Sequence, residues 1–379
     1  MRCLPIPRWL PAVAWLAVGL DVRGPVAAHG GAPGPVLTGP FFESLGSNGR
    51  ACASCHDPAD GWTVTPRGLQ VRFDASDGLD PVFRPIDAAT CPGVDVSTVE
   101  ARRLAYSLLL ARGLIRVARP VPASADFAVL AVDTPYGCGS RAELSVYRRP
   151  LPVTNYDVLA TVMWDGRHTV AGRGIDDDLA AQVVDATLGH VQAPAPPGPA
   201  RVHALVEFQR GLAAHPAAVA VAKTVEPVRR GEGIFKTRAF LITGVGGLND
   251  QPGRAVVIGF CATCHHTPAG VRAAAPMLDI GVNDAGRWTA DLPLFTLRCR
   301  ATGAIVATLD PGRALVTGAC GDIGKIKTPV LRGLAARAPY FHNGSARTLL
   351  DVVEFYDARF RIRLGPREKA DLVTFLSTL

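Results

Sequence analysis

Cys52-Ala53-Ser54-Cys55-His56 and Cys261-Ala262-Thr263-Cys264-His265 are the stretches on which the reading of this sequence turns. Cys-x-x-Cys-His is the attachment motif of c-type haem. Two thiols three positions apart reach the two vinyl groups of one porphyrin, and the adjacent imidazole then stands beneath the iron as proximal ligand. A thioredoxin-like pair or half a zinc site uses the two cysteines without needing the histidine. Here the closing histidine is present twice. The sequence therefore predicts two covalently bound haem c groups on Cys52, Cys55, Cys261 and Cys264, with His56 and His265 as iron ligands.

Working outward, the remaining cysteines fit the same compartment. Of the nine in the 379 residues, Cys3 falls in an N-terminal segment that reads as an export signal. Arg2 and Arg8 precede the short apolar run from Trp9 to Leu20, and Val26-Ala27-Ala28 offers small residues for cleavage. That run is too short to span a bilayer, which takes about 20 apolar residues. Residues 1–28 are thus expected to be removed, leaving a periplasmic protein that does not span the membrane. In that oxidising setting Cys91, Cys138, Cys299 and Cys320 are expected as two disulfides, one within each half, although four cysteines allow three connectivities. The formal charge of +7 comes from scattered basic residues with no Lys/Arg tract and no stacked aromatics, so no nucleic-acid partner is expected.

A hydrophobic content of 48% supports real cores, and 379 residues suit two ordinary domains. The expected division is an N-terminal cytochrome c-like domain over residues 29–224 and a C-terminal one over 225–379. The fold class expected is mostly α, two haem domains with long loops and a few short strands. Thr98 to Leu110 reads as one helix with Leu104, Leu108 and Leu109 on a shared face. Leu114–Val117 and Phe127–Val132 read as strands. The Pro-rich stretch Ala193 to Pro199 reads as a loop before an amphipathic helix, Arg201 to Ala213. Near the end, Thr348–Tyr356 and Pro366–Leu379 read as helices, with Pro366 in the first turn of the last.

Two further stretches point past a simple cytochrome. One runs Asn155-Tyr156-Asp157-Val158-Leu159-Ala160-Thr161-Val162-Met163-Trp164-Asp165-Gly166-Arg167. The other runs Lys327-Thr328-Pro329-Val330-Leu331-Arg332-Gly333-Leu334 and, after a short gap, Ala338-Pro339-Tyr340-Phe341-His342-Asn343-Gly344-Ser345. In order along the chain, with the haem motifs, these resemble the bacterial di-haem cytochrome c peroxidase family, including its MauG-type branch. The combination is specific where any single piece is not.

The resemblance implies roles at matching positions. Trp164 matches a tryptophan between the haems that carries electrons, and His342 matches a histidine near the second haem. Tyr356 falls where the family has the sixth ligand of the C-terminal haem, methionine in ordinary peroxidases and tyrosine in the MauG-type branch. Leu349, Val352, Val353 and Tyr356 share helical spacing, so the tyrosine is expected to point inward, as a ligand or as a core residue. Met277 is the rival ligand. No histidine lies between His56 and His168, so the first iron is expected to keep an open position. Peroxide chemistry there needs a group that moves a proton between the peroxide oxygens. The family has a glutamine and a glutamate after Trp-Asp-Gly-Arg. Gln182 fits the first, and His190 or Asp185 could serve for the second, while Asp176–Asp178 reads as a solvated face. Calcium between the domains is left open. Arg337 and Pro339 match two carbonyl donors, but Arg149 stands in place of the usual asparagine.

The expected function is peroxidase-type oxidoreduction. Hydrogen peroxide would be reduced at the N-terminal haem, with a small redox protein as donor and electron transfer through the C-terminal haem. The alternatives are a MauG-like enzyme that uses peroxide to oxidise residues of a protein substrate, and a non-catalytic electron-transfer cytochrome.

Overall fold

The computed structural model describes residues 37–212, 225–265 and 277–379. The expected export segment, residues 1–28, lies outside them. Among the described residues there are ten α-helices and seven short strands, consistent with a mostly α fold.

In the first half, Thr65 caps α1 (Pro66–Ser76) by accepting from the Gly68 amide, and Pro66 opens the helix where no amide hydrogen is needed. Leu69 and Phe73, four residues apart, face inward against Phe83, Tyr106 and Leu109. The expected helix from Thr98 to Leu110 is broken. Tyr106 leaves helical geometry and separates α2 (Val99–Ala105) from α3 (Ser107–Arg112). The break rotates the two segments relative to one another. Leu108 and Leu109 are buried as expected, but Leu104 is 75% exposed. The Tyr106 hydroxyl donates to the Phe83 carbonyl at 3.2 Å, a local tertiary bond that periodicity does not reveal.

Strands β1 (Ile115–Pro120) and β3 (Glu143–Arg148) pair antiparallel. β2 (Phe127–Asp133) pairs instead with β6 (Leu294–Cys299) of the second half, and β6 with β7 (Ile305–Thr308). The first two sequence-predicted strands are therefore present, in different sheets. Phe127, Leu144, Phe295 and Leu297 form one core that draws on both halves. The disulfides are Cys91–Cys138 and Cys299–Cys320, as the pairing within each half required. Each closes a loop in the unfolded chain, an effect worth roughly 2–4 kcal/mol.

Helices α4 (Ile175–Gly189) and α5 (Pro199–Gly211) bracket the Pro-rich loop. In the second half, α6 (Glu226–Thr237) leads to a hairpin of β4 (Phe240–Thr243) and β5 (Val256–Gly259), which feeds the one-turn helix α7 (Cys261–Cys264). The short α8 (Ala314–Thr317) precedes α9 (Leu349–Phe360), capped by Thr348, and α10 (Pro366–Leu376). α6 crosses α10 closely. A Cβ on Gly231 would lie 2.1 Å from the Asp371 carbonyl oxygen, so only glycine allows this approach. Phe235 and Phe375 pack 5.4 Å apart beyond the crossing, and Arg230 grips the Asp371 carboxylate with two bonds of 2.7 and 2.8 Å.

Candidate active site

Two cavities run through the protein, each with one Cys-x-x-Cys-His motif in its wall. They hold about 1650 and about 1100 Å³ of non-protein space, part of it open to solvent.

The first cavity is built on the turn Cys52–Ser54. The Ser54 hydroxyl accepts from the Ala51 amide at 3.0 Å, and Arg72 of α1 donates to the Ser54 carbonyl at 2.8 Å. His56 follows, its Nδ1 bonded to the Trp62 carbonyl at 3.2 Å. A carbonyl can only accept, so Nδ1 carries the proton there, and Nε2 would be the nitrogen to ligate an iron. Burial pushes the His56 imidazole down to about 4 and the Cys52 thiol up to about 12, so both are neutral at ordinary pH. A neutral imidazole beside two protonated thiols suits thioether attachment and iron ligation.

Across this cavity α4 presents Gln182, Val183, Ala186 and Thr187, with His190 at its C-terminal cap, all at helical spacing. Two of the candidates, Gln182 and His190, are thereby brought to one site. Asp185 is not. It lies on the outer face of α4, paired with His168 at 3.0 Å. The acidic run also departs from expectation, since Asp178 is buried and accepts from the Val170 amide at 3.3 Å. Among the wall residues to which the sequence reading gave no role are Arg50, Asp87, Met163 and Gln209. Met163 has a left-handed backbone, φ +66°, which no periodic pattern announces.

The second cavity is lined by Cys261, Cys264 and His265, by Leu349, Val352, Val353 and Tyr356 of α9, and by Phe235, Leu372 and Leu376 of the crossing helices. The helical spacing thus aims Tyr356 inward, its ring 6.4 Å from that of His265 at a steep angle. Burial, then the nearby Cys264 and Cys261, raise the Tyr356 phenol above its ordinary value. Met277, by contrast, is not among these wall residues, and its methyl lies by Gly166.

Trp164 belongs to both cavities, together with Arg149, Pro150 and Leu151. Its indole N–H donates to the Arg149 carbonyl at 2.7 Å, and its own carbonyl accepts from the Lys327 amide at 2.8 Å. His342 packs against it at 6.0 Å. His342 is fully buried in the wall of the second cavity, and neither ring nitrogen has a hydrogen-bond partner among the described residues. Buried polar atoms are satisfied in more than nine cases in ten, so this wall is shaped for a group that brings polar atoms of its own. Behind it Arg148 bridges Asp165 at 2.5 Å and Asp310 at 2.6 Å. Burial opposes the Asp165 charge, but Arg148 and Arg167 outweigh it and hold that carboxyl far below the usual range.

The residues at the expected calcium position do not fit a cation. The Arg149 guanidinium already lies there, donating to the carbonyls of Arg112 at 2.9 Å, Val64 at 2.8 Å and Arg337 at 3.1 Å. A carbonyl that would ligate calcium is occupied by a side chain of the same charge sign.

Two thiol pairs, each followed by a histidine and each in the wall of its own cavity, are what attachment of two c-type haems would require. The sequence relatives agree. The chain is 31% identical to cytochrome-c peroxidase IdrP1 of a Pseudomonas species over 139 residues, covering 31% of this chain and 36% of that protein. It is 31% identical to cytochrome-c peroxidase IdrP2 of Denitromonas iodatirespirans over 132 residues, covering 32% and 36%. Both of these relatives are cytochrome-c peroxidases. The chain matches about a third of the length of each curated relative. No protein-family model matches it. Among solved structures it is similar to a MauG-like protein associated with microbial copper homeostasis, at 17% identity and a TM-score of 0.48, covering 90% of this chain and 85% of that one.

Proposed function

We propose that the protein is an exported di-haem c-type cytochrome that reduces hydrogen peroxide at the first cavity, with electrons arriving through the second. Haem, when bound, supplies a redox-active iron in each cavity. Cys52, Cys55, Cys261 and Cys264 would hold the two groups covalently, with His56 and His265 beneath the irons. The observation that carries the assignment is the asymmetry of the cavities. The first has Gln182 and His190 on one helix face together with Arg50, Asp87 and Arg167, whereas the second is largely apolar around Tyr356. Reduction of peroxide to two waters consumes two protons and two electrons, so its site needs proton-moving side chains and the electron-transfer site does not. Gln182 orients peroxide by hydrogen bonding, and His190 moves the proton. Trp164 shortens the path between the cavities, and His342 supports its ring. Tyr356, facing His265 across the second cavity, would supply an oxygen ligand to the second iron.

Among the described residues no helix is long and apolar enough to cross a membrane. The electron donor is a small reduced redox protein. A MauG-like use of peroxide to oxidise a protein substrate is the second reading, and Tyr356 favours it. Met163 favours a third, since a thioether in the first cavity could close that iron and leave an electron carrier. Electron paramagnetic resonance of the oxidised, haem-loaded protein tests the assignment. One high-spin and one low-spin signal are expected. Two low-spin signals, with Met163→Leu converting one to high spin, would overturn it in favour of the carrier.

A further inference from the structure

We propose that Asp87, clamped by Arg50, is the positioning residue that fixes His190 as the proton-transfer group of the first cavity. The inference rests on reading that cavity as the peroxide site. Asp87 comes from the loop between α1 and α2, 103 residues from His190 in sequence, and all three side chains line the cavity. The His190 Nδ1–H donates to the Asp87 carboxylate at 2.5 Å. In the neutral imidazole that leaves Nε2 as the acceptor. The carboxylate side chain is 6% exposed and pairs with Arg50 at 2.7 Å. Arg50 is itself immobilised, donating to the Pro81, Val82 and His190 carbonyls at 2.9, 2.7 and 3.2 Å. Asn48 adds a second donor to the His190 carbonyl at 2.9 Å. The end of α4 is therefore held at its backbone by the segment leading into the first haem motif and at its side chain by the loop between α1 and α2.

The arrangement does more than cap a helix. Capping is accomplished by Arg50 and Asn48 at the backbone, and it does not need a carboxylate on the ring. Burial opposes the charge on Asp87, but His190 and Arg50 hold the carboxyl below its ordinary value. Asp87 therefore stays an acceptor and does not take the proton itself. The His190 side chain is 36% exposed, so the imidazole exchanges protons with water. In the step proposed, Nε2 takes the proton from one peroxide oxygen and returns it to the other. The O–O bond breaks with release of one water, and the second water forms with two protons from solvent and two electrons from the reduced redox protein.

The test uses the haem-loaded full chain, with stopped-flow reaction against hydrogen peroxide and, independently of turnover, against cyanide. Hydrogen cyanide must lose its proton as it binds ferric iron, so its association reports the same base. Asp87→Asn should slow both reactions by about 100-fold and change the pH profile of cyanide association, with Asp87→Glu recovering most of the loss. His190→Gln should match it, and the double variant should be no slower than His190→Gln alone. A folded Asp87→Asn protein with wild-type rates and pH profile would overturn the positioning role. Should Asp87→Asn fail to fold, His190→Gln leaves the Arg50–Asp87 pair intact, and wild-type cyanide kinetics in that variant would overturn the proposal as well. A native protein inert to peroxide, whose cyanide kinetics still respond to both substitutions, would sink the peroxidase reading while supporting the Asp87–His190 pairing.

Discussion

At the scale of single residues, Tyr356 and His342 carry the most consequence. An anionic phenolate favours ferric iron, whereas a methionine ligand raises the potential. On the proposed ligation, Tyr356→Phe removes the oxygen but keeps the ring packed beside Phe355 and Phe360. The second haem should lose its low-spin signal, and its potential should rise by on the order of 100 mV, a fraction of the roughly 0.8 V that axial ligands command. An unchanged spectrum in the folded variant would remove Tyr356 from the ligand set. His342 makes a prediction about pH. Burial pushes its imidazole from 6.5 down to about 4, with Asp310 opposing the shift and Arg148 adding to it. The unfolded chain therefore binds more protons at this site than the folded protein, and stability falls as pH drops from about 6.5 towards 4. The loss from this residue should reach on the order of 3 kcal/mol. Thermal melts of the native and His342→Gln proteins between pH 7 and 5 should diverge, the variant showing the shallower fall. Parallel curves would refute the shift.

At the scale of elements, helices were legible where one face is buried and illegible where a tertiary contact intervenes. The α9 spacing of Leu349, Val352, Val353 and Tyr356 led directly to the second cavity. Gln182 and His190 were offered by the family resemblance, which could not exclude Asp185, because only the placement of α4 decides which of its faces looks inward. The Tyr106 break was unreadable because the bond that accompanies it, from the Tyr106 hydroxyl to the Phe83 carbonyl, is a tertiary contact outside the helix. The crossing of α6 and α10 yields a sharp expectation. At Gly231 an added methyl meets the Asp371 backbone, which cannot move aside as a flexible side chain would. Gly231→Ala should destabilise the protein by about 1–3 kcal/mol, the usual price of overpacking a close contact. The check is a denaturant midpoint, and a midpoint equal to the native protein's would mean the helices separate without penalty.

At the scale of the whole molecule, the two halves share strands and charges. β2 finds its partner in β6, and Arg148 joins Asp165 of the first half to Asp310 of the second. Arg149 ties the Val64, Arg112 and Arg337 carbonyls together beside both cavities. Its burial, with Arg337 nearby, pushes the guanidinium down to about 9, which marks how little of this charge is met by carboxylates. A chelator such as EDTA should therefore leave the melting temperature and the communication between the haems unchanged. Arg149→Ala should lower stability by several kcal/mol, since each buried carbonyl left unpaired costs about 1–3 kcal/mol. A melting temperature that falls on chelation and recovers with calcium would show that a cation site exists after all.

The sequence alone determined the chemistry that depends on spacing within a few residues. The two haem motifs, the inward face of α9 and the first turn of the last helix are local, because vinyl groups and helical turns set distances that the chain must match. Family resemblance added Trp164 and Tyr356 as positions to examine. Only the tertiary structure decided what is brought together from afar. Trp164 in the wall of both cavities, Asp87 on His190, Arg149 in the carbonyl cage and β2 against β6 join segments up to about 190 residues apart. Such contacts are fixed by how the elements pack and by where buried charge and unpaired backbone find partners. No pattern within a short window contains that information.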